Sequence, residues 1–501
     1  VGSGGGTSNT AFGKGSGVDL ASGGNYNTFL GEDAGATNKL GDNNIAIGYD
    51  AFDLSYIDDT QDALTVDNIF IGKDAGGGDW ATAASHSNIG IGSGVMDAAM
   101  NGALRNVGIG HAALGAIVDG DNNTAVGYNA GLSITSGYGN TVMGRLAGDA
   151  LVGGYNNVLI GTQAGSDTTA AIATVMIGQA TGGADIGTAA VGSVGVGAQA
   201  LNALTSGVGN VGIGYQAGSA LSTTSYNTFV GHEAGEANVG GQNVGVGYRA
   251  LADASSNVDN CVAIGYNALA TADSANDDGN TAVGYKALQD QNSTGTSGNT
   301  ALGFQALMTV ETGSYNTALG NAALQSATNN NNTCVGALSG SNISNGANNT
   351  YVGIASGDAA STSDNNTGIG SYALSGVLTS GHNNTAVGKD AGIAITNGQR
   401  NVAVGMNALM SLTVGGTASL GNIAIGYGAL DSLQTGMSNI AIGVAAMDSA
   451  AGAISDCVVI GERAGDAFSS TTANGTVCLG YYAGSAITTG ARNMAMGTGA
   501  M

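Results

Sequence analysis

A chain of 501 residues has only four histidines to act as general bases or metal ligands, and only four cysteines. His86, His111, His232 and His382 have no companions at the spacing of a zinc site or a catalytic triad. Cys261, Cys334, Cys457 and Cys478 form no C-x-x-C pair, so they are expected to be buried, reduced thiols acting as small apolar residues. Cys457 and Cys478 lie one repeat apart in different slots, and a disulfide between them would require side chains on opposite strand faces to meet. The turns Asp119-Gly120-Asp121-Asn122-Asn123 and Asn276-Asp277-Asp278-Gly279-Asn280 carry oxygens suited to Ca²⁺, but follow neither the EF-hand nor the nine-residue calcium-roll pattern. They read as solvated turns. With no nucleophile placed beside a base, neither an enzyme nor a cofactor is expected.

The elements that position these residues all derive from one phrase, Asn-[Thr/Val/Ile]-[Ala/Gly/Phe]-[Val/Ile/Leu]-Gly-x-x-Ala-[Gly/Leu]. Its core Gly, position 0, occurs 28 times between Gly13 and Gly497, and 13 of the 27 intervals are 17 residues. Self-similarity at a short fixed period marks a solenoid. The expected fold is all-β, a parallel β-solenoid or β-roll of about 28 coils with a period of 17 to 18 residues. No linker interrupts the phrase, so residues 1–501 read as one continuous array. Starting without Met and stopping within a repeat, the chain reads as a segment of a longer fibre.

Side chains of a strand alternate between faces. Position −1 is apolar in every copy and −3 is Thr, Val or Ile in all but the last, so this face is expected inside the coil. Position −2 is usually Ala or Gly, and is expected to point outward against another chain or layer. Asn stands at −4 in 23 of 28 copies. Stacked coils would align these side chains into an amide ladder that includes Asn123, Asn140, Asn157, Asn299, Asn316, Asn384 and Asn401. Ala at +3 and Gly at 0 let the strand bend round a narrow core. The remainder of each unit, as at 391–398 and 483–490, reads as a second, weaker strand and a turn.

Composition narrows the function classes. Only 9% of residues are charged, yet 35 acidic against 11 basic give a net charge of −24, which repels nucleic acid and anionic membranes. No stretch approaches the roughly 20 apolar residues of a membrane span. There is no Pro, as suits a backbone whose N–H groups donate to neighbouring strands. Overlong units become surface loops, and loops carry binding. The intervals from Gly48 to Gly72 and from Gly72 to Gly92 therefore nominate Phe52, Tyr56, Asp58, Asp59, Asp79 and Trp80 as receptor contacts. Tyr at +1, as at Tyr248, Tyr266 and Tyr285, would stack into an exposed column, read as a structural ladder in preference to a sugar track.

Asn260-Cys261-Val262-Ala263-Ile264-Gly265 resembles the N-S-V-A-I-G head repeat of trimeric autotransporter adhesins, with Asn44-Ile45-Ala46-Ile47-Gly48 and Asn422-Ile423-Ala424-Ile425-Gly426 as near variants. Runs such as Asn383-Asn384-Thr385-Ala386-Val387-Gly388 are also similar to repeats of phage tail fibres and fibrous bacterial surface proteins. The resemblance implies a homotrimeric rod on a cell or virion surface that attaches to a glycan, protein or matrix. The coil here is longer than the adhesin repeat, and no heptad stalk or membrane anchor is present. A phage fibre shaft and a purely structural filament are the competing classes. Ice binding, suggested by Thr at −3 of seven successive coils from Thr281 to Thr385, is set aside because those Thr share the face expected inside.

Overall fold

The computed structural model describes residues 6–21, 23–53, 65–78, 80, 83–254, 257–272, 277–291, 297–310, 312–376, 380–412, 420–450, 452–468 and 473–501. The chain divides into two compact units, Val1–Ala252 and Asp253–Met501. Each is an all-β parallel solenoid, with no α-helix among the described residues. Every copy of the phrase forms one three-residue strand at positions −3 to −1, fourteen in each unit.

In the first unit each strand pairs in parallel with the next, from Thr10–Phe12 on Thr28–Leu30 to Thr228–Val230 on Val244–Val246. The second repeats this from Val262–Ile264 to Met494–Met496. Equal positions of the phrase therefore stack at about 4.8 Å. Insertions do not disturb the register: across the interval from Gly48 to Gly72, Ile45 still faces Ile69. The core Gly is required at the corner. At Gly127 φ is +142°, and an added Cβ would lie 2.5 Å from the carbonyl oxygen of Gly144.

Among the described residues a second sheet exists only in the second unit, where Thr271–Ala272, Asp290–Gln291, Thr309–Val310 and Ser326–Ala327 pair in parallel. The strands expected within 391–398 and 483–490 are turns and bends instead. Gly392 and Gly484 there hold φ of +63° and +69°, which breaks an extended run.

The main strand also presents the opposite faces to those expected. Position −2 is the inner one: Ala125, Phe29, Phe70, Phe229 and Tyr351 are all fully buried. Positions −3 and −1 look outward, as Thr124 and Val126 do on either side of Ala125. Parity with −4 decides the matter. The Asn at −4 must turn inward to reach backbone carbonyls, and −2 shares its face. The interior is then filled from −2, +3 and +4, with +7 contributing in some coils; in the coil of Gly127 these are Ala125, Ala130, Gly131 and Ile134, all buried.

So small an interior forces the inner positions to share volume. In all ten copies where −2 is Val, Leu, Met, Cys, Phe or Tyr, position +4 is Gly; where −2 is Ala or Gly, +4 is usually Leu, Met or Phe. The reason is steric, because a Cβ on Gly235 would lie 2.6 Å from the Phe229 ring and one on Gly357 2.5 Å from Tyr351. Four copies have small residues at both places, and there Leu20, Ile134, Leu221 and Ile395 at +7 supply the bulk. Leu is itself compatible with the +4 backbone, since Leu251 holds φ of +55° in the next coil. Gly235→Leu is expected to cost about 1–3 kcal/mol by overpacking and Phe229→Ala about 3–5 kcal/mol by cavity formation. The double variant should cost less than the sum. Denaturant midpoints of the four proteins test this, and strict additivity would refute volume sharing.

Candidate functional site

Among the described residues the repeat brings chemistry-bearing side chains together coil by coil. The candidate sites are columns, each made by one position of the phrase repeated coil after coil. The most extensive is apolar. At −1, Ile109 is 39% exposed and Met143 44%, and Ile213, Leu302, Ile369 and Ile460 are exposed in the same way. No copy carries a charge anywhere in its strand, so an uncharged strip runs along each unit of a strongly acidic chain.

Beneath it lies the Asn ladder. Asn140 Nδ2 donates to Asn123 Oδ1 at 2.9 Å and to the Gly154 carbonyl at 2.8 Å, while its backbone N–H donates to Asn123 Oδ1 at 3.1 Å. Asn157 makes the same set to Asn140 and to the Ala171 carbonyl. In the second unit Asn401 bonds Asn384 through both its N–H and its Nδ2. Asn316 keeps the backbone bond to Asn299 at 2.8 Å, and Asn299 turns its Nδ2 to Gln291 and to the Gly313 carbonyl. Substitutes fit the same geometry: Thr174 donates to Asn157 Oδ1 through its hydroxyl, and Cys261 Sγ accepts from the Asn280 N–H.

A second ladder, at −6, was not anticipated. Asp42, Asp121, Asp364 and Asn474 each accept the backbone N–H of the −6 residue one coil earlier, at 2.6 to 2.9 Å. Asp278 does so for Asp259 at 2.8 Å. Asp121 and Asp278 belong to the two turns considered for Ca²⁺, and both spend an oxygen on the backbone. The signal was available as Asp, Asn or Ser recurring six residues before the core Gly.

The aromatic column at +1 forms with the rings face to face. Tyr266, Tyr285 and Phe304 stack at 5.2 and 5.1 Å with interplanar angles of 14° and 9°. His232 sits between Tyr215 and Tyr248. Within a stack the inner ring faces are occupied by neighbours, leaving edges and phenol oxygens for solvent.

Of the nominated receptor contacts, Phe52 and Trp80 are buried. Phe52 stacks on Phe70 at 5.5 Å and meets Trp80 edge-on at 5.0 Å, inside the coil. Neither ring is presented to a receptor. Tyr56, Asp58, Asp59 and Asp79 lie outside the described residues. Close by, a cleft of about 180 Å³ is lined by Asp50, Asp53, Asp74, Gly77 and Asp97. Burial, and then the Asp74 charge, hold the Asp97 carboxyl above the usual carboxylate range, while Asp74 is paired to Lys73 at 2.8 Å.

The four cysteines are free and buried. Burial pushes the Cys261 and Cys334 thiols up to about 12 and that of Cys478 to about 11. Cys457 and Cys478 share the inner face, contrary to the expectation of opposite faces. Val458 faces Val477 in the register, which puts the two cysteines on a diagonal. Diagonal neighbours are about 7–8 Å apart, beyond the Cα separation that a disulfide usually spans. Compared with known proteins, the chain matches no family model and no curated sequence.

Two predictions follow from the columns. Asn140→Ala orphans the Gly154 carbonyl and the Asn157 amides, at about 1–3 kcal/mol for each buried group left unpaired. Asn140→Thr should cost distinctly less, and thermal melts of the two variants compare them. Asp431, Asp448 and Asp466 form a like-charged column at +5. Burial, and then the next carboxylate in the column, raise Asp431 and Asp448 above their ordinary values. The folded state therefore holds these protons to higher pH than the unfolded chain does. Stability falls as pH rises from the ordinary Asp range through the raised values, then levels off. Asp448→Asn should raise the melting temperature at neutral pH, with the gain vanishing in acid; a gain independent of pH would contradict this.

Proposed function

We propose that the chain is an extracellular fibrous attachment protein, a shaft whose copies associate lengthwise and present many weak contacts to a cell surface, glycan or matrix. The observation that carries this reading is the outward aliphatic strip. Over 45–109, 158–213 and 402–479 both outward columns of the described strands are Ile, Val or Leu in every coil. Continuous exposed apolar surface marks an interaction site, and each square ångström removed from water contributes about 25 cal/mol. A second or third copy of the chain fits such a strip. The uncharged face lets strongly acidic chains approach while their carboxylates remain in solvent. The adhesin-like phrase favours three copies. Attachment then depends on length and repetition, where linked weak contacts accumulate avidity.

Sedimentation or light scattering of the full chain is expected to give the mass of three copies. Ile91→Lys combined with Ile109→Lys should reduce that mass while leaving the β-sheet circular dichroism unchanged. A wild-type protein that stays a single chain at high concentration would remove the basis for this reading. Binding to whole cells, glycan arrays and matrix then separates an adhesive shaft from a purely structural filament; absence of binding at every salt concentration would exclude attachment.

A further inference from the structure

The outward strip changes chemistry in the second unit. From Thr281 to Thr385, seven successive coils carry Thr at −3 with Val, Leu or Ile at −1. The register sets Thr on Thr throughout, from Thr281 opposite Thr300 to Thr367 opposite Thr385. All seven lie on the outward face of their strands. None of their hydroxyls hydrogen-bonds within the described chain, and none is closed off from solvent. Packing a second copy dryly against this stretch would strip water from seven hydroxyls, at about 1–3 kcal/mol for each left unpaired. The aliphatic stretches carry no such penalty.

The geometry of the rank is fixed from below and within. Asn349, Asn366 and Asn384 bond their predecessors at 3.1, 3.3 and 3.2 Å directly beneath it. A β-branched side chain is stiff at χ1, so equivalent hydroxyls and methyls repeat with the backbone. They recur at about 4.8 Å from coil to coil, and the aliphatic column stands about 6.6 Å away along the strand. Such a surface presents donors and acceptors to water at periodic positions. It carries no charge that would impose a competing hydration shell. A neutral lattice of water molecules with repeats of similar size is the partner with matching chemistry.

We propose that the threonine face of the seven strands from Thr281–Val283 to Thr385–Val387 binds ice. This stands apart from the association of copies through the aliphatic stretches. The full chain is tested in a slowly growing ice hemisphere, with the protein measured in the ice and in the remaining liquid. Enrichment in the ice is expected for the wild type. Thr350→Lys, which sets a charge mid-rank, should reduce it several-fold, and Thr317→Lys serves the same purpose if the first variant does not fold. Thr124→Lys, the same position in the first unit, should leave it unchanged.

Exclusion of the wild type from ice would overturn the proposal. So would equal enrichment of the mid-rank Lys variants, or an equal loss with Thr124→Lys. Solution mass is recorded in parallel. A three-chain assembly that is excluded from ice removes this inference alone, and a single chain that enters ice removes only the association of copies.

Discussion

Each coil passes one amide to the next. An Asn side chain at −4 accepts from the backbone and side chain of the following Asn and donates to a carbonyl deep in the turn, so three buried polar groups are satisfied where the full set forms, as at Asn140. Burying such groups unpaired would be costly. Only an in-register neighbour carrying a compatible residue removes that cost. The requirement explains why a 24-residue interval still leaves Ile45 opposite Ile69: extra residues can loop out, but the Asn must meet its partner. The −6 acceptors impose the same condition at a second point on the coil.

Turning Asn inward also turns −2 inward, and the size of the coil then governs what −2 can be. In most coils the interior takes one large side chain from −2 or +4, and in some +7 adds another, as Ile117 joins Leu114 and Leu204 joins Leu201. Phe229 with Gly235 and Gly245 with Leu251 are two solutions of one volume equation in adjacent coils. Packing density therefore constrains pairs of positions more tightly than it constrains either alone. The aromatic cluster of Phe52, Phe70 and Trp80 is a local enlargement of the same interior.

Positions outside the coil are free of the volume constraint but not of repetition. Whatever stands at an outward slot is multiplied into a column at about 4.8 Å spacing. Aromatic rings at +1 gain from this by stacking. Carboxylates at +5 lose, because burial, and then the carboxylate of the next coil, raise Asp431 and Asp448 above the ordinary Asp range. Aliphatic residues accumulate exposed apolar area, and threonines accumulate ordered hydroxyls.

The sequence by itself determined the period, the parallel stacking, the corner at the core Gly and the Asn ladder. Each follows from one residue type at a fixed offset, a local property that survives without coordinates. It also showed the thiols to be apolar fillers. The tertiary structure decided which face is inside. Alternation makes −3 and −1 one face and −2 and −4 the other, but alternation is symmetric, and the usual preference for burying the more apolar face pointed the wrong way. What breaks the symmetry is closure of the coil: the space left after the Asn and the +3 Ala have turned inward is too small for two aliphatic columns, and it accepts Ala125 or Phe229 only by adjusting +4 or +7. The reciprocal Gly at +4 was written in the sequence, but it becomes meaningful only once both positions are known to point into one cavity. The same closure drew Trp80 and Phe52 inward and left Thr281 to Thr385 facing water.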